Sequence, residues 1–184
     1  MKNYQILKNQ KYSLGEYRLV PIRDEDKFLI MKWRNEQIDF LRQDKKLTNQ
    51  DQISYFKKTI SKLFYQRYPN QLLFSFLKNN TCLGYGGLVH INWKDKSAEI
   101  SFIMDTKQEK IFFNFHWTTF LTLVDQIAFR ELNFHKIHTY AFDLRPKLYV
   151  VLEKCGYKKE KVLDKCYTHN DSLIDVVIHS KINK

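Results

Sequence analysis

Two side chains with proton-transfer chemistry sit in apolar, strand-like surroundings: His90 in LVHINW and Glu99 in AEISFIMD. An imidazole titrates close to neutrality and suits a general base at physiological pH. A carboxylate can take a proton itself or hold the water that does. Strand alternation puts Glu99 on one face with Ser101 and Ile103. Either residue can equally be structural, His90 as a hydrogen-bonded strand histidine and Glu99 as the partner of a lysine. Asp143, at the end of KIHTYAFD, is a third candidate base. The stretch WRNEQIDFLRQ carries Arg34, Asn35, Gln37, Arg42 and Gln43, a set able to bind phosphates or sugar hydroxyls, or to form a polar helix face. Trp93 can stack on a sugar or base, or cap the core. His135, His138, His169 and His179 lack metal-ligand spacing, and Cys82, Cys155 and Cys166 form no CxxC pair. No metal is therefore expected, and the cysteines read as buried, reduced thiols.

These residues need a scaffold, and the composition supplies one. With 184 residues, 43% hydrophobic and 15% aromatic, the chain can bury a substantial core and fits one domain, residues 1–184. Disorder, which requires low hydrophobicity, is excluded. A net charge of +11 draws anions to the surface. The lysines are scattered singly and in pairs, which argues against a nucleic-acid-binding arm. No stretch reaches the roughly 18 apolar residues of a spanning helix, so no membrane insertion is expected. MKNYQILKNQKYSLGEY lacks the apolar core and cleavage site of a signal peptide, so the expected setting is cytoplasmic.

Periodicity then orders the elements. YRLVPI alternates as a strand and leads into a helix over RDEDKFLIMKWRNEQ. Thr48 opens a T-x-x-D capping pattern, and Ile53, Phe56 and Ile60 form the apolar stripe of a second helix ending before Pro69. QLLFSFLKN, CLGYGGLVHIN and AEISFIMD read as an antiparallel meander. From Phe113 the period shifts to that of a helix, with Trp117, Phe120, Leu121, Val124 and Ala128 on its buried side. KIHTYAFD follows as a strand, then a short helix from Pro146 to Cys155 stopped by Gly156, then two closing strands. The strand-helix-strand unit over residues 98–142 predicts a right-handed parallel crossover within a mixed sheet.

This order, with LVPIRDEDKFLIMKWRNEQ, AEISFIMD and LNFHKIHTYAFDLRPKLYVVLEKCGY, resembles the GNAT superfamily of N-acetyltransferases over Tyr17 to Ile178. Within it the chain looks most like the ribosomal-protein and amino-sugar branch. The resemblance implies an α+β (mixed α/β) fold: a mostly antiparallel sheet of about seven strands flanked by about four helices. It implies acetyl-CoA as co-substrate, a small-molecule amine as acceptor and direct transfer without an acyl-enzyme, and it leaves a homodimer open. Glu99 and His90 become the candidate bases for the amine.

In this family the fourth strand holds pantetheine and a glycine-rich turn cradles the diphosphate. Those places correspond here to Ile103, Met104 and Asp105, and to Phe113, Asn114, Phe115 and His116 within TKQEKIFFNFHW, where the glycines are missing. Either the helix amides still bind the anion, helped by Lys107, Lys110 and His116, or the aromatic rings fill the groove. Leu152 stands where relatives carry an acid tyrosine, so Tyr149, one turn earlier, is the substitute; Arg145 stands where relatives place asparagine and can reach a CoA phosphate. The implied activity is acetylation of a nucleotide-linked amino sugar in surface-glycan or flagellin-sugar biosynthesis. The alternatives are a protein N-terminus, an aminoglycoside, or a non-catalytic binding module.

Overall fold

The computed structural model describes residues 2–169 and 172–183. One sheet dominates it, with strand order β1-β2-β3-β4-β5-β6-β8-β7. The strands are β1 (Tyr12–Leu14), β2 (Tyr17–Pro21), β3 (Leu72–Lys78), β4 (Thr81–Asn92), β5 (Ser97–Met104), β6 (Lys136–Phe142), β7 (Lys158–His169) and β8 (Ser172–Ile182). Every neighbouring pair is antiparallel except β5 and β6, which are parallel as the crossover requires. The meander and the two closing strands fall where alternation predicts them. The sheet has eight strands rather than about seven, because β1 is a three-residue piece that turns at Gly15 and is too short for alternation to register.

Four helical runs flank the sheet among the described residues. Helix α1 (Lys27–Glu36) follows β2 through a single 3-10 turn. Helix α2 (Asn49–Tyr55) passes through a π-turn into α3 (Ser61–Leu63) as one run. It starts at a complete capping box, in which Thr48 and Asp51 satisfy each other's backbone amides. Helix α5 (Pro146–Lys154) ends in a Schellman motif. Gly156 donates to the Glu153 carbonyl and Tyr157 to that of Leu152, with Gly156 at φ +84°.

Helix α4 departs from expectation. It spans Thr106–Asp125 and so begins a full turn and more before Phe113. Its N-cap is Asp105, whose Oδ1 accepts from the Lys107 amide at 2.7 Å while its carbonyl accepts from Glu109 at 2.8 Å. The residues IFFNFHW therefore lie inside a helix rather than on a turn, and the only trace of a break is non-helical backbone at Phe112. The buried side of α4 seals the core: Phe120 stacks on Phe102 of β5 at 3.9 Å and 9°, with Trp117 edge-on to Phe102 at 5.0 Å. Gly86 lets β5 press against β4, since a Cβ there would stand 2.1 Å from the Ser101 carbonyl oxygen.

Candidate acetyl-transfer cleft

The site follows from where two strands part. β5 and β6 pair only from Ser97↔Lys136 to Ile100↔Thr139, yet β5 stays on β4 to Met104 and β6 stays on β8 to Phe142. The two strand ends diverge, leaving a cleft of about 590 Å³. Ser101, Phe102 and Ile103 line one wall, Thr139 to Phe142 the other, and Trp117, Arg145 and Leu148 the end nearest α4 and α5. Thr139 is buried and its Oγ1 has no partner among the described residues, which leaves the cleft an unsatisfied polar atom.

On the α1 side the predicted polar set divides. Arg34, Gln37 and Arg42 line the cleft. Asn35 does not; it pins the loop after α1, exchanging hydrogen bonds of 2.8 Å with both the amide and the carbonyl of Leu47. Arg34 donates to the Tyr85 hydroxyl at 2.6 Å and to Gln43 at 2.9 Å, and Tyr85 pushes the Arg34 pKa up. Glu99 is buried at the cleft, with Arg42 donating to its Oε1 and His90 Nε2 4.0 Å from its Oε2. The structure thus brings both candidate bases together. His90 reaches that position from a bulge, where the β4–β5 register slips between Val89 and Asn92 and its backbone takes φ +49°. Its side chain is 67% exposed and that of Glu99 8%, so the carboxylate is the enclosed member of the pair. Across the parallel pairing His138 sits level with Glu99, and burial lowers its pKa against the pull of that carboxylate.

The expected cofactor residues scatter. Ile103 lines the cleft. The Met104 carbonyl is already taken by Gln37 Nε2 at 2.8 Å, and Asp105 serves as the α4 cap. Asn114 and Phe115 are exposed. His116 is buried against Tyr17 and Phe76, away from the cleft lining, and that burial lowers its pKa. Phe113 is buried beneath Arg145 and Lys147: the Lys147 Nζ stands 4.1 Å from its ring centre.

Arg145 does reach the cleft. Its guanidinium packs on the Phe40 ring at 3.8 Å and lies 3.7 Å from Glu109 Oε1, and its Nε has no partner among the described residues. Lys147 meets the same Glu109 oxygen at 3.3 Å. Burial pulls the Arg145 pKa down and Glu109 resists that pull.

Tyr149 turns elsewhere. Its hydroxyl donates to Asp143 Oδ1 at 2.9 Å and its ring stacks on His179, which is why its pKa is raised, first by burial and then by Asp143. Leu152 is fully buried. Trp93 also stays out of the cleft: its indole donates to the Pro69 carbonyl at 2.8 Å and its ring meets Phe134. Sequence reading missed Thr139, Tyr140, Phe142, Trp117, Phe40 and Leu148. Only tertiary placement brings them to one cleft, although the apolar spacing of α4 does mark Trp117 as inward-facing. Among the described residues no group of three or more His, Cys, Asp or Glu is placed to hold a metal, and no helix is long and apolar enough to cross a membrane.

Comparison with known proteins fits this geometry. Among solved structures, spermidine N-acetyltransferase from Vibrio cholerae in complex with CoA and spermine superposes with a TM-score of 0.80 at 20% identity, covering 92% of this chain and 97% of that one. A dodecameric form of the Vibrio cholerae spermidine enzyme gives 0.73 at 21% identity, covering 92% and 95%. At such identities the likeness establishes the fold alone. No curated protein matches the chain. The model of the Acetyltransferase (GNAT) domain family matches residues 19–178, nearly the whole sheet and every helix, and the chain belongs to that family of N-acetyltransferases.

Proposed function

We propose that this N-acetyltransferase transfers the acetyl group of acetyl-CoA directly to the amine of an acceptor that also carries an anionic group, a nucleotide-linked amino sugar being the class that fits. A role in surface-glycan or flagellin-sugar biosynthesis, in the cytoplasm, belongs to the same proposal. One observation carries it. Among the described residues, the ionised side chains lining the cleft, His90 aside, are Arg34, Arg42, Arg145 and Glu99, and the one carboxylate of that set is already paired with Arg42. With Arg145 given to acetyl-CoA, a polycation such as spermidine would still meet the guanidinium groups of Arg34 and Arg42 and no free carboxylate, whereas a diphosphate or carboxylate would find planar donors.

Acetyl-CoA is the family's co-substrate, and the residues present fit it in a changed way. The diverging ends of β5 and β6 leave room for an extended arm bearing amides, and Thr139 Oγ1 awaits such a partner. Among the amides that open α4, that of Lys107 is already capped by the Asp105 carboxylate, whose charge repels a diphosphate there. Arg145 and Lys147 therefore take over that end, through side chains instead of a backbone cradle. The thioester supplied by the cofactor is the activated acyl donor. Glu99 takes one proton from the acceptor's ammonium, directly or through water, and the freed nitrogen attacks the thioester carbon. As the C–S bond breaks and the amide forms, the leaving thiolate takes one of the two protons left on nitrogen, and the other stays as the amide N–H.

Thiol release from acetyl-CoA, measured with nucleotide-linked 3-amino and 4-amino sugars, an aminoglycoside, a peptide and spermidine, tests the reading. Turnover of a nucleotide-linked sugar with little or none of spermidine is expected. A preference for spermidine, or no CoA release with any of them, overturns it.

A further inference from the structure

The loop between α1 and α2 is tied back to α1 at two points and reaches into the cleft just before them. Beyond a 3-10 turn at Ile38–Phe40 it carries Arg42 and Gln43, and Asn35 anchors it by accepting from Gln43 Nε2 at 3.2 Å and binding both backbone groups of Leu47. Arg42 leaves this anchored segment and crosses the mouth of the cleft. It bonds Glu99 on β5 and lies with its guanidinium 4.6 Å from the centre of the Tyr140 ring on β6. One cation thereby joins the two diverging strands at the point where they part. The pair is lopsided: the Arg42 side chain is 41% exposed and that of Glu99 only 8%. A solute can reach the guanidinium far more readily than the Glu99 carboxylate, whose Oε1 is the atom that Arg42 holds. The other carboxylate oxygen faces His90 at 4.0 Å.

This arrangement gives a buried base a removable cover. We propose that Arg42 is a latch read by the acceptor: the acceptor's anionic group takes the guanidinium, draws it off Glu99, and so uncovers the carboxylate only for an amine that carries such an anion. The inference rests on the preceding reading, in which Glu99 receives the amine's proton. It assigns to one arginine both recognition of the anion and exclusion of amines that lack it, the repulsive half of specificity. The exchange is feasible because a guanidinium offers five N–H donors in a planar fork that fits phosphate and carboxylate alike. Asn35, on α1, ties down the loop directly after Arg42, at Gln43 and Leu47, so the side chain can swing without the backbone leaving.

Kinetics with the full chain, wild type against Arg42→Ala and Arg42→Lys, tests this with a nucleotide-linked 4-amino sugar and its phosphate-free counterpart. Loss of a charge-assisted contact should raise the KM of Arg42→Ala for the nucleotide-linked acceptor about 10- to 100-fold. Its kcat/KM for the phosphate-free acceptor should rise, because the cover is gone, and Arg42→Lys should fall between. A second readout needs no turnover: modification of Glu99 by a water-soluble carbodiimide, mapped by mass spectrometry. Uridine diphosphate should increase labelling of Glu99 in the wild type toward the level of Arg42→Ala, and should leave that variant unchanged. Equal losses for both acceptors would reduce Arg42 to a structural role and overturn the latch, as would labelling of the wild type that uridine diphosphate fails to raise. If the wild type turns over neither acceptor, the functional reading fails, while the labelling result still decides the latch.

Discussion

Glu109→Gln is the perturbation most exposed to refutation, because it must move two measurements in opposite directions. Arg145 and Glu109 are nearly enclosed, with side chains 11% and 12% exposed, and their closest atoms are 3.7 Å apart. Coulomb's law at an effective dielectric of about 20 gives roughly 4.5 kcal/mol for unit charges at that distance. Part of this returns when Arg145 leans toward Gln37 Oε1, already 3.5 Å away, and toward solvent. Lys147, half exposed, adds little. A net loss of about 2 kcal/mol remains, within reach of what breaking a buried pair costs. For a chain of this size that is a drop in Tm of about 4–8 °C without ligand. The same substitution removes the carboxylate that competes with a diphosphate for Arg145 and Lys147. CoA affinity should therefore rise, by about tenfold if about 1.4 kcal/mol of repulsion disappears. Differential scanning fluorimetry with and without CoA, with calorimetry for Kd, reads both effects. A Tm within about 1 °C of wild type, or weaker CoA binding, would refute the account of Arg145 and Lys147 as a diphosphate site held by an internal carboxylate.

Glu99→Gln should lower turnover about 100-fold with CoA affinity little changed, as expected for loss of a general base; His90→Ala, at an exposed position, should lower it less than tenfold, and kcat beside a calorimetric Kd for CoA separates the two. Gly86→Ala should cost about 3 kcal/mol or more in a urea titration, since its Cβ would meet the Ser101 carbonyl at 2.1 Å. Acidification should destabilise the fold: burial lowers the pKa of His116, His138 and His179. With folded pKa values below the unfolded one near 6.5, the unfolded chain binds more protons as pH falls through that value. Tm should thus hold above about pH 7 and fall steadily below about 6.5, and a flat Tm down to pH 5 would contradict it.

What could be read from the sequence was local chemistry. The Thr48–Asp51 capping box, the Gly156 stop and the change of period between β5 and α4 each depend on residues within a turn or two of one another. The start of α4 was legible too, though easily passed over: Asp105 directly after a strand, followed by the helix formers TKQEK, is an N-cap pattern. The glycine-rich turn that relatives place there drew attention instead to the aromatics downstream. The cleft was less accessible, because it exists only where β5 and β6 separate. Thr139 and Tyr140 carry no mark in KIHTYAFD of facing it, and Tyr149 and Leu152 could be told apart only once the roll of α5 was known. Glu99 and Arg42, 57 positions apart, were each singled out by residue type; their pairing belongs to the fold alone.

The early start of α4 also changes how this protein should respond to its medium. A cradle of backbone amides is neutral and holds an anion by dipoles at contact range, so added salt disturbs it little. Here the Asp105 carboxylate caps the Lys107 amide at that end of the helix, and a diphosphate would be held by Arg145 and Lys147 as full charges. The half-exposed Lys147 lies open to counterions, which at physiological ionic strength screen over about 8 Å, while Arg145 is sheltered beneath the Phe40 ring. Cofactor affinity would then be set by ionic strength down to a floor fixed by the arginine alone, giving a protein with few glycines to spare an electrolyte-tuned hold on its acyl donor.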